Sequence, residues 1–273
     1  MIDIKRLSRS YDGQTILDNI DLQIEKGGFT VILGRNGSGK STLVRHLNAL
    51  LLPESGSVTV DGLDTSDPSA VFDIRSRVGM VFQNPDSQAV ASIVEDDTAF
   101  APENLGLNED ETQRRIDHAL DAVGISHLRR RSIGSLSGGQ KQLVAIAGIL
   151  AMQPDYMVFD EATSMLDPAA RHRVLDCVLK LKERLTIIWI THYMEEAVSA
   201  DRVIIMDNGR IKADGTPRDI FSDPELLGAA GLRLPKSAEL ALRLKKAGCI
   251  HDRLPLTVGE LVALIKSHIG GAI

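Results

Sequence analysis

The feature that most constrains this fold is Gly34-Arg-Asn-Gly-Ser-Gly-Lys-Ser41, which fits the pattern G-x-x-x-x-G-K-[ST]. The apolar residues 29–33 before it predict a buried strand, and those after it predict a helix with one apolar face. The helix face comprises Leu43, Leu47, Leu50 and Leu51. Between strand and helix, the glycines let the backbone turn tightly and direct N–H groups at phosphate oxygens. The pattern therefore predicts an α/β fold with a phosphate-binding loop.

The residue types in this loop are those that bind nucleotide phosphates. Lys40 is expected to reach the β- and γ-phosphates of ATP, and the Ser41 hydroxyl is expected to ligate Mg²⁺. The helix adds the positive end of its dipole. A chance match is the alternative, and the predicted strand and helix on either side argue against it. The predicted ATP-binding residues of the loop are Gly34, Asn36, Gly37, Ser38, Gly39, Lys40, Ser41 and Thr42.

Two acidic residues, Asp160 and Glu161, follow a second apolar run at residues 156–159. The run predicts a buried strand, and the carboxyl edge of an α/β sheet is where ligands bind. Asp160 is expected to hold Mg²⁺, usually through a water, and Glu161 to polarise the attacking water as a general base. A surface acidic pair after a core strand is the alternative. The phosphate loop in the same chain favours the functional interpretation.

The remaining pattern organises the chain into alternating strands and helices. Residues 57–60 alternate in polarity and meet Asp61-Gly62, which predicts a hairpin. Residues from about 84 to 153 are predicted to be mainly helical, with Asn108 capping one helix. Apolar runs at residues 186–190 and 203–206 predict further buried parallel strands. Two short helices are predicted beyond residue 235, one with Leu240, Leu244 and Ala247 and one with Leu261 and Ile265.

A third motif, Leu136-Ser-Gly-Gly-Gln140, precedes an apolar helix. By itself it favours a Gly-Ser turn with Ser137 as N-cap, although a helix N-terminus also suits an anion. Together with the other two motifs, it makes residues 1–225 resemble the ABC ATPase family. The resemblance implies a nucleotide-binding core with an antiparallel β subdomain, a helical subdomain at about 84–153 and a head-to-tail dimer. In that dimer one subunit closes over the partner's ATP with Leu136, Ser137, Gly138, Gly139 and Gln140.

Four further residues match motifs of this family. Gln83 resembles the Q-loop glutamine that senses Mg²⁺ and meets the membrane partner, and His192 resembles the histidine that contacts the γ-phosphate and orients water. Asp167 matches the D-loop aspartate that links the two sites, and Tyr11 the aromatic residue that stacks on adenine. A surface glutamine, a structural histidine, a helix N-cap and a packing tyrosine are the respective alternatives. The resemblance implies catalytic residues Glu161, His192 and Gln83 and Mg²⁺ ligands Ser41, Gln83 and Asp160.

The chain departs from the family pattern at two positions. Leu143 stands where the family commonly has an arginine that is expected to form an ion pair within the subunit, and this puts the packing of the helical subdomain in question. Ala101 replaces a commonly seen glycine.

Residues 81–106 resemble the ATPases of energy-coupling-factor (ECF) importers, including the cobalt and nickel branch. Residues 160–168 resemble one of the two paralogous ATPases that are paired in such importers, and the tail resembles their C-terminal dimerisation appendage. The implied organisation is an ATPase domain at 1–228 and a small appendage at 229–273. The implied partners are a second ABC ATPase subunit, identical or paralogous, a membrane scaffold (T) protein and a substrate-capturing (S) membrane protein. The acidic group Glu95, Asp96 and Asp97 is expected to dock the scaffold, with a solvated helix face as the alternative.

The resemblance implies a peripheral subunit at the cytoplasmic face of the membrane, and the composition agrees with this expectation. No apolar run approaches the ~20 residues of a membrane-spanning helix. The net charge of −6 argues against broad nucleic-acid binding. Cys177 and Cys249 form no C-x-x-C pair, which favours a reduced compartment and no structural metal site. The function implied is ATP hydrolysis that powers import of a vitamin or a transition metal. A conventional ABC transporter ATPase, or a soluble ABC protein acting on nucleic acid or ribosomes, is the alternative.

Overall fold

The computed structural model describes residues 1–247 and 254–269, so Cys249 and residues 270–273 of the expected appendage lie outside the described part. The ten strands found there are β1 (Ile2–Tyr11), β2 (Gln14–Ile24), β3 (Phe29–Leu33), β4 (Ser55–Val60), β5 (Leu63–Asp64), β6 (Val78–Val81), β7 (Tyr156–Asp160), β8 (Thr186–Thr191), β9 (Arg202–Asp207) and β10 (Arg210–Gly215).

The described part also contains eleven α-helices, together with short 3-10 turns. The helices are α1 (Lys40–Leu47), α2 (Val71–Arg77), α3 (Val94–Asn104), α4 (Glu109–Ala122), α5 (Gly138–Ala151), α6 (Pro168–Leu181), α7 (Met194–Ala197), α8 (Pro217–Phe221), α9 (Pro224–Ala229), α10 (Lys236–Lys246) and α11 (Val258–Ile269). None of them is both long and apolar enough to cross a bilayer.

A six-stranded sheet in the order β10-β9-β3-β8-β7-β6 forms the centre of the molecule. All its neighbours are parallel except the β9–β10 pair at one edge. Every residue of β3, β7 and β8 is buried, as expected when helices or a second sheet cover both faces. The predictions of buried parallel strands from the apolar runs are confirmed.

The register of this sheet aligns the ends of three strands that precede predicted site residues. Leu33 pairs with Thr191, and Asp160 pairs with Ile190. The phosphate loop after β3, the carboxylates at the end of β7 and the histidine after β8 therefore leave the sheet at the same edge. This adjacency depends on pairing between segments that are more than a hundred residues apart in sequence.

A second sheet, antiparallel in the order β2-β1-β4-β5, packs over the first and confirms the predicted β subdomain. Its β4–β5 hairpin turns at Asp61 and Gly62, whose φ values are +50° and +84°. Positive φ at both central residues is the geometry that a two-residue Asp-Gly turn adopts. Tyr11 ends β1 and lies at the edge of this sheet that faces the phosphate loop.

The helical subdomain consists mainly of α3, α4 and α5, which pack against one another. Asn108 caps α4 by accepting the backbone N–H of Glu111, as predicted. One predicted feature is wrong: α1 ends at Leu47, so Leu50 and Leu51 do not continue its apolar face. The reason is local, because Ala49 adopts φ +54° and this left-handed conformation terminates a right-handed helix.

The C-terminal segment forms the two predicted helices, α10 and α11. Leu227, Ala230 and Ala238 belong to the same apolar core as the central sheet. Ala241 and Leu261 form a small separate cluster between α10 and α11. The segment also contacts the ATPase domain further on, because Leu256 belongs to the main core and Glu260 of α11 pairs with Arg218 of α8.

Candidate nucleotide-binding site

Two positions of the phosphate loop require glycine, one for its backbone conformation and one because of a close approach of the main chain. Gly39 precedes α1 with φ +99°, and a Cβ there would lie 2.8 Å from the carbonyl oxygen of Ile16. A Cβ on Gly34 would lie 2.4 Å from the carbonyl oxygen of Met206. No side chain of the described residues caps the N-terminus of α1, so the amides of its first turn are available to an anion.

Lys40 is buried within the loop, with only 3% of its surface exposed. Its Nζ donates to the carbonyl oxygens of Gly34 and Arg35 at 2.8 and 3.0 Å and lies 4.0 Å from Oε1 of Glu161. Burial lowers the pKa of Lys40, and the nearby carboxylates of Glu161 and Asp160 oppose this shift. The ammonium group is thus held at the bottom of the cleft by partners that phosphate oxygens could replace.

The oxygens suited to Mg²⁺ lie beside this lysine. The hydroxyl of Ser41 donates to Oδ1 of Asp160 at 2.6 Å, and Asp160 is buried. In the described residues, no group of three or more His, Cys, Asp or Glu side chains could hold a metal alone. Mg²⁺ commonly takes one or two protein oxygens and completes its shell with waters and substrate phosphates. The pair fits that requirement.

Glu161 occupies an unusual backbone position directly after β7. Its φ is +52°, and its N–H donates to the carbonyl of Ile190 at 3.2 Å. A left-handed conformation costs a non-glycine residue about 1 kcal/mol or more, so such positions point to function. The carboxylate lines the cleft, with Oε1 facing Lys40 and Oε2 3.9 Å from Nδ1 of His192.

Gln83 reaches the same cleft from the loop after β6. Its Nε2 donates to the hydroxyl of Ser164 at 3.0 Å, and that hydroxyl donates to the carbonyl of Glu161 at 2.8 Å. Ser164 lies three residues before Asp167, and its position in the sequence does not predict this link. Gln83 and the main chain of Glu161 are therefore connected through one serine in this structure.

The cleft between these groups has a volume of about 730 Å³. It brings together ten predicted residues: Tyr11, Asn36, Gly37, Gly39, Lys40, Ser41, Thr42, Gln83, Asp160 and Glu161. Gly34 and Ser38 lie behind this lining, and the buried Ser38 hydroxyl has no partner among the described residues. Sequence reasoning missed five lining residues: Ile16, Arg45, Phe82, Asn84 and Ser87. Of these, Arg45 could have been predicted from the sequence, because it follows Ser41 by one turn of α1. Its Nη2 lies 3.7 Å from Oδ2 of Asp160.

Tyr11 stands at the rim of the cleft with 42% of its surface exposed. The guanidinium of Arg9 lies 5.0 Å from its ring centroid, within the range of a cation–π contact. The ring is not packed into the core, so the packing alternative does not describe it. An exposed aromatic face beside a phosphate site is available to stack on a base.

The Leu136–Gln140 segment forms a capped helix start away from this cleft. Ser137 accepts the N–H of Gln140, whose side chain accepts the N–H of Ser137, which is a complete capping box. Ser137 and Gly138 are exposed, and none of the five residues lines the cleft. A Cβ on Gly139 would lie 2.7 Å from Cβ of Ala170, so glycine permits close packing of α5 on α6. The N-cap interpretation is correct locally and leaves the exposed face free.

Asp167 is also a helix N-cap, at the start of α6. Its carboxylate accepts the N–H groups of Ala169 and Ala170 at 2.9 Å each. These two donors, that of Ala170 foremost, hold the pKa of Asp167 below its usual value. The residue is exposed, so its D-loop role across a dimer stays a prediction.

The acidic group lies in the first turn of α3, as expected, but its three carboxylates are not equivalent. Asp97 is buried and accepts the N–H groups of Val90 and Ala91. The prediction that it belongs to the docking surface is therefore wrong. Glu95 is paired with Arg129 at 2.8 Å. Only Asp96 is exposed. Helix geometry puts consecutive residues on different faces, which is why three adjacent acids could not share one surface.

The Leu143 departure has a simple packing explanation. Leu143 is partly buried against the main apolar core, so no ion pair is needed at its position. Lys141, two residues before it, pairs with Asp86 of the Q-loop segment at 2.6 Å. The helical subdomain is therefore packed despite the missing arginine.

A phosphate loop at a helix N-terminus, facing a carboxylate pair at the same sheet edge, defines a nucleoside triphosphatase. The pattern of the ABC transporter family matches residues 17–164. The energy-coupling factor transporter ATP-binding protein EcfA1 of Clostridium novyi (strain NT) is 51% identical over 269 residues, which is 96% of each chain. The cobalt import ATP-binding protein CbiO of Syntrophus aciditrophicus (strain SB) is 47% identical over 91% of this chain and 90% of its own.

Among solved structures, cbiO1 from Clostridium perfringens, described as part of the ABC transporter complex cbiONQ, superposes with a TM-score of 0.77. It is 36% identical and covers 88% of this chain and 98% of its own. The chain belongs to the ABC transporter family, among the ATP-binding subunits of energy-coupling factor transporters. Its activity is ATP hydrolysis coupled to transport.

Proposed function

We propose that this chain powers an ECF-type importer of a vitamin or a transition metal ion from the cytoplasmic face of the membrane. The observation that carries the proposal is the convergence of Lys40, Asp160 and Glu161 on one cleft in a chain so similar to ECF ATPases. The test is purification of the chain from membranes, which is expected to bring a scaffold and a capture protein with it. Recovery with ribosomes or nucleic acid would contradict the proposal.

The cleft residues divide the catalytic work. Lys40 and the loop amides bind the β- and γ-phosphates, and Tyr11 stacks on the base. Ser41, Asp160 and Gln83 hold Mg²⁺, which when bound neutralises charge on the phosphates. Glu161 accepts a proton from the attacking water, and the ring of His192 orients that water toward the γ-phosphate. The left-handed backbone of Glu161 directs its carboxylate between Lys40 and His192, so the carboxylate lies within reach of both side chains.

The site is completed by a second ABC ATPase subunit, identical or paralogous. Support comes from the Leu136–Gln140 segment, whose exposed N-terminus lies outside the chain's own cleft. An exposed helix start suits the γ-phosphate of a nucleotide held by another subunit. The exposed apolar side chains of Leu240, Val258 and Val262 on α10 and α11 support a role of the appendage at 229–273 in dimerisation.

Ser137→Arg tests the shared site. The bulky side chain is expected to lower ATP hydrolysis by the assembled complex at least ~10-fold while ATP affinity of the isolated chain stays unchanged. Loss of the N-cap costs about 1 kcal/mol, which thermal unfolding will register without loss of the fold. Ser126→Arg, at another exposed serine, is the control. Loss of ATP binding in the isolated Ser137→Arg chain would show that the site is not shared.

The scaffold is proposed to dock in an apolar groove beside α3. This docking groove, of about 330 Å³, is lined by residues that include Leu50, Met80, Phe82, Val90, Phe100 and Ile149. Phe100, Val90 and Leu50 are about half exposed and line one groove, and exposed apolar side chains that lie together mark interaction sites. Ala101 also lines the groove, so a small residue there keeps it open. A cytoplasmic helix of the scaffold with an apolar side chain would fill it, and Asp96 would contact a basic residue at its edge.

Phe100→Asp is expected to abolish co-purification of the scaffold and to stop uptake, because it places a charge in the apolar contact. ATP binding by the isolated chain is expected to stay unchanged. Asp96→Lys is expected to have a smaller, salt-dependent effect, since exposed ion pairs contribute about 0–1 kcal/mol. Phe72→Asp, at another exposed phenylalanine, on α2, that does not line the groove, is the control. Wild-type scaffold recovery with Phe100→Asp would exclude the groove.

A further inference from the structure

A buried carboxylate behind the catalytic cleft holds three parts of the chain together. Glu196 in α7 is only 2% exposed. Its Oε1 accepts the hydroxyl of Thr163 at 2.7 Å, and its Oε2 accepts the indole N–H of Trp189 at 2.9 Å. The Nε of Arg171 lies 3.9 Å from Oε1. Thr163 is two residues after Glu161, so this cluster lies directly behind the catalytic loop.

Arg171 reaches from α6 to two neighbouring segments. Its Nη2 donates to the carbonyl of Leu166 at 3.3 Å, immediately before the D-loop residue Asp167. Its guanidinium carbon lies 3.4 Å from the ring centroid of Tyr193, which is the distance of a stacked cation–π contact. The side chain is mostly buried, and its Nε has no hydrogen-bond partner within the described ranges. Arg171 therefore touches the D-loop on one side and Tyr193 on another.

Tyr193 carries this contact to the histidine of the site. Its ring lies 4.2 Å from the ring of His192, at an interplanar angle of 37°. Its backbone N–H donates to the hydroxyl of Thr191 at 3.0 Å, which fixes the start of this segment on β8. His192 is itself 3.9 Å from Glu161. The orientation of the imidazole is thus set partly by the face of the tyrosine.

We propose that Arg171 is a positioning residue that couples the D-loop to His192 through the ring of Tyr193. A subunit that contacts Asp167 would shift the Leu166 carbonyl and, with it, the guanidinium stacked on Tyr193. The two rings would turn together and bring the imidazole to its working position beside Glu161. Glu196 holds Arg171 against the core. A shift of the guanidinium would therefore rotate the stacked rings of Tyr193 and His192. The inference rests on the role proposed above for His192.

The test measures ATP hydrolysis by the assembled transporter. Arg171→Met and Tyr193→Leu are each expected to lower kcat about 10-fold or more, because a misplaced catalytic group loses rate. KM for ATP is expected to change less than about twofold, since the phosphate loop is untouched. Tyr193→Phe keeps the aromatic face and is expected to restore the rate. Arg184→Met, which removes an exposed arginine just beyond α6, is the charge control.

A double-mutant comparison separates this role from a structural one. His192→Ala is expected to lower kcat, and adding Arg171→Met to it is expected to lower kcat less than twofold further, because Arg171 acts through the histidine. If the two losses in kcat multiply in the double mutant, Arg171 does not act through His192 and the proposed coupling is overturned. Arg171→Met removes the cation beside Glu196, and this loss can unfold the chain. Tyr193→Leu keeps all contacts of Glu196 and tests the same coupling between the D-loop and His192.

The two levels of the proposal fail in different ways. If His192→Ala keeps the wild-type kcat, the role proposed for His192 is wrong, and so is the proposed coupling of the D-loop to it. A slow His192→Ala together with a wild-type rate in Tyr193→Leu would overturn the coupling alone. Slow hydrolysis in both, with rescue by Tyr193→Phe, supports the coupling.

Discussion

Glu161→Gln is expected to slow ATP hydrolysis at least ~100-fold while ATP binding is retained, as the loss of a general base predicts. Glutamine has the same shape but cannot accept the proton of the attacking water. The left-handed backbone and the hydrogen bond to Ile190 involve main-chain atoms, so the substitution leaves them in place. The mutant complex is therefore expected to accumulate as an ATP-bound closed dimer, which size-exclusion chromatography with ATP will detect.

The control for this experiment is Glu183→Gln, at an exposed glutamate beyond the end of α6. It changes the net charge equally and is expected to leave the rate unaltered. If the steady-state ATPase rate of Glu161→Gln is within a few-fold of wild type, Glu161 is not the general base. Asp160 would not be the replacement candidate, because its carboxylate is already bound to Ser41.

Lys40→Ala is expected to weaken ATP binding about 10- to 100-fold and to abolish transport. A charge-assisted hydrogen bond contributes about 1.5–3 kcal/mol, which corresponds to that range of affinity. Among the described residues, the partners of the buried ammonium are carbonyl oxygens and a distant carboxylate, so phosphate oxygens are its better match. Isothermal titration calorimetry with the isolated chain measures the change.

Lys180→Ala, at an exposed lysine on α6, is the matched control and should bind ATP normally. Thermal unfolding of Lys40→Ala checks that the chain still folds, because the substitution removes the hydrogen bonds of Nζ to the loop carbonyls of Gly34 and Arg35. An unchanged ATP affinity of a folded Lys40→Ala chain would exclude the lysine from phosphate binding.

The acidic group on α3 illustrates how burial changes the interpretation of a sequence motif. Glu95, Asp96 and Asp97 look alike in sequence, yet the first forms an ion pair, the second is exposed and the third caps a loop inside the protein. Three adjacent acids in the sequence do not reveal this difference. Arg129, the partner of Glu95, follows α4, and Asp97 is buried where α5 packs on α3, beside its two hydrogen-bond donors in the chain before α3. The docking proposal therefore moves to the groove around Phe100.

The sequence by itself determined the features that short segments encode. The phosphate loop, the Asp-Gly hairpin and the capped start of α4 each follow from backbone conformations and hydrogen bonds within a few residues. Runs of apolar residues were sufficient for the central strands, since a strand buried on both faces needs no alternation. These local rules also located Lys40 and Glu161, because the ends of such strands bind ligands.

Only the tertiary structure decided how distant segments meet. The register of β3, β8 and β7 sets the 3.9 Å between His192 and Glu161 and the 4.0 Å between Glu161 and Lys40. The contact of Arg171 with Tyr193 likewise joins α6 to the end of β8. Such contacts arise from the packing of the whole chain, in which burial and pairing of remote segments fix each side chain. No short segment of sequence contains that information, because its local conformation is compatible with many partners.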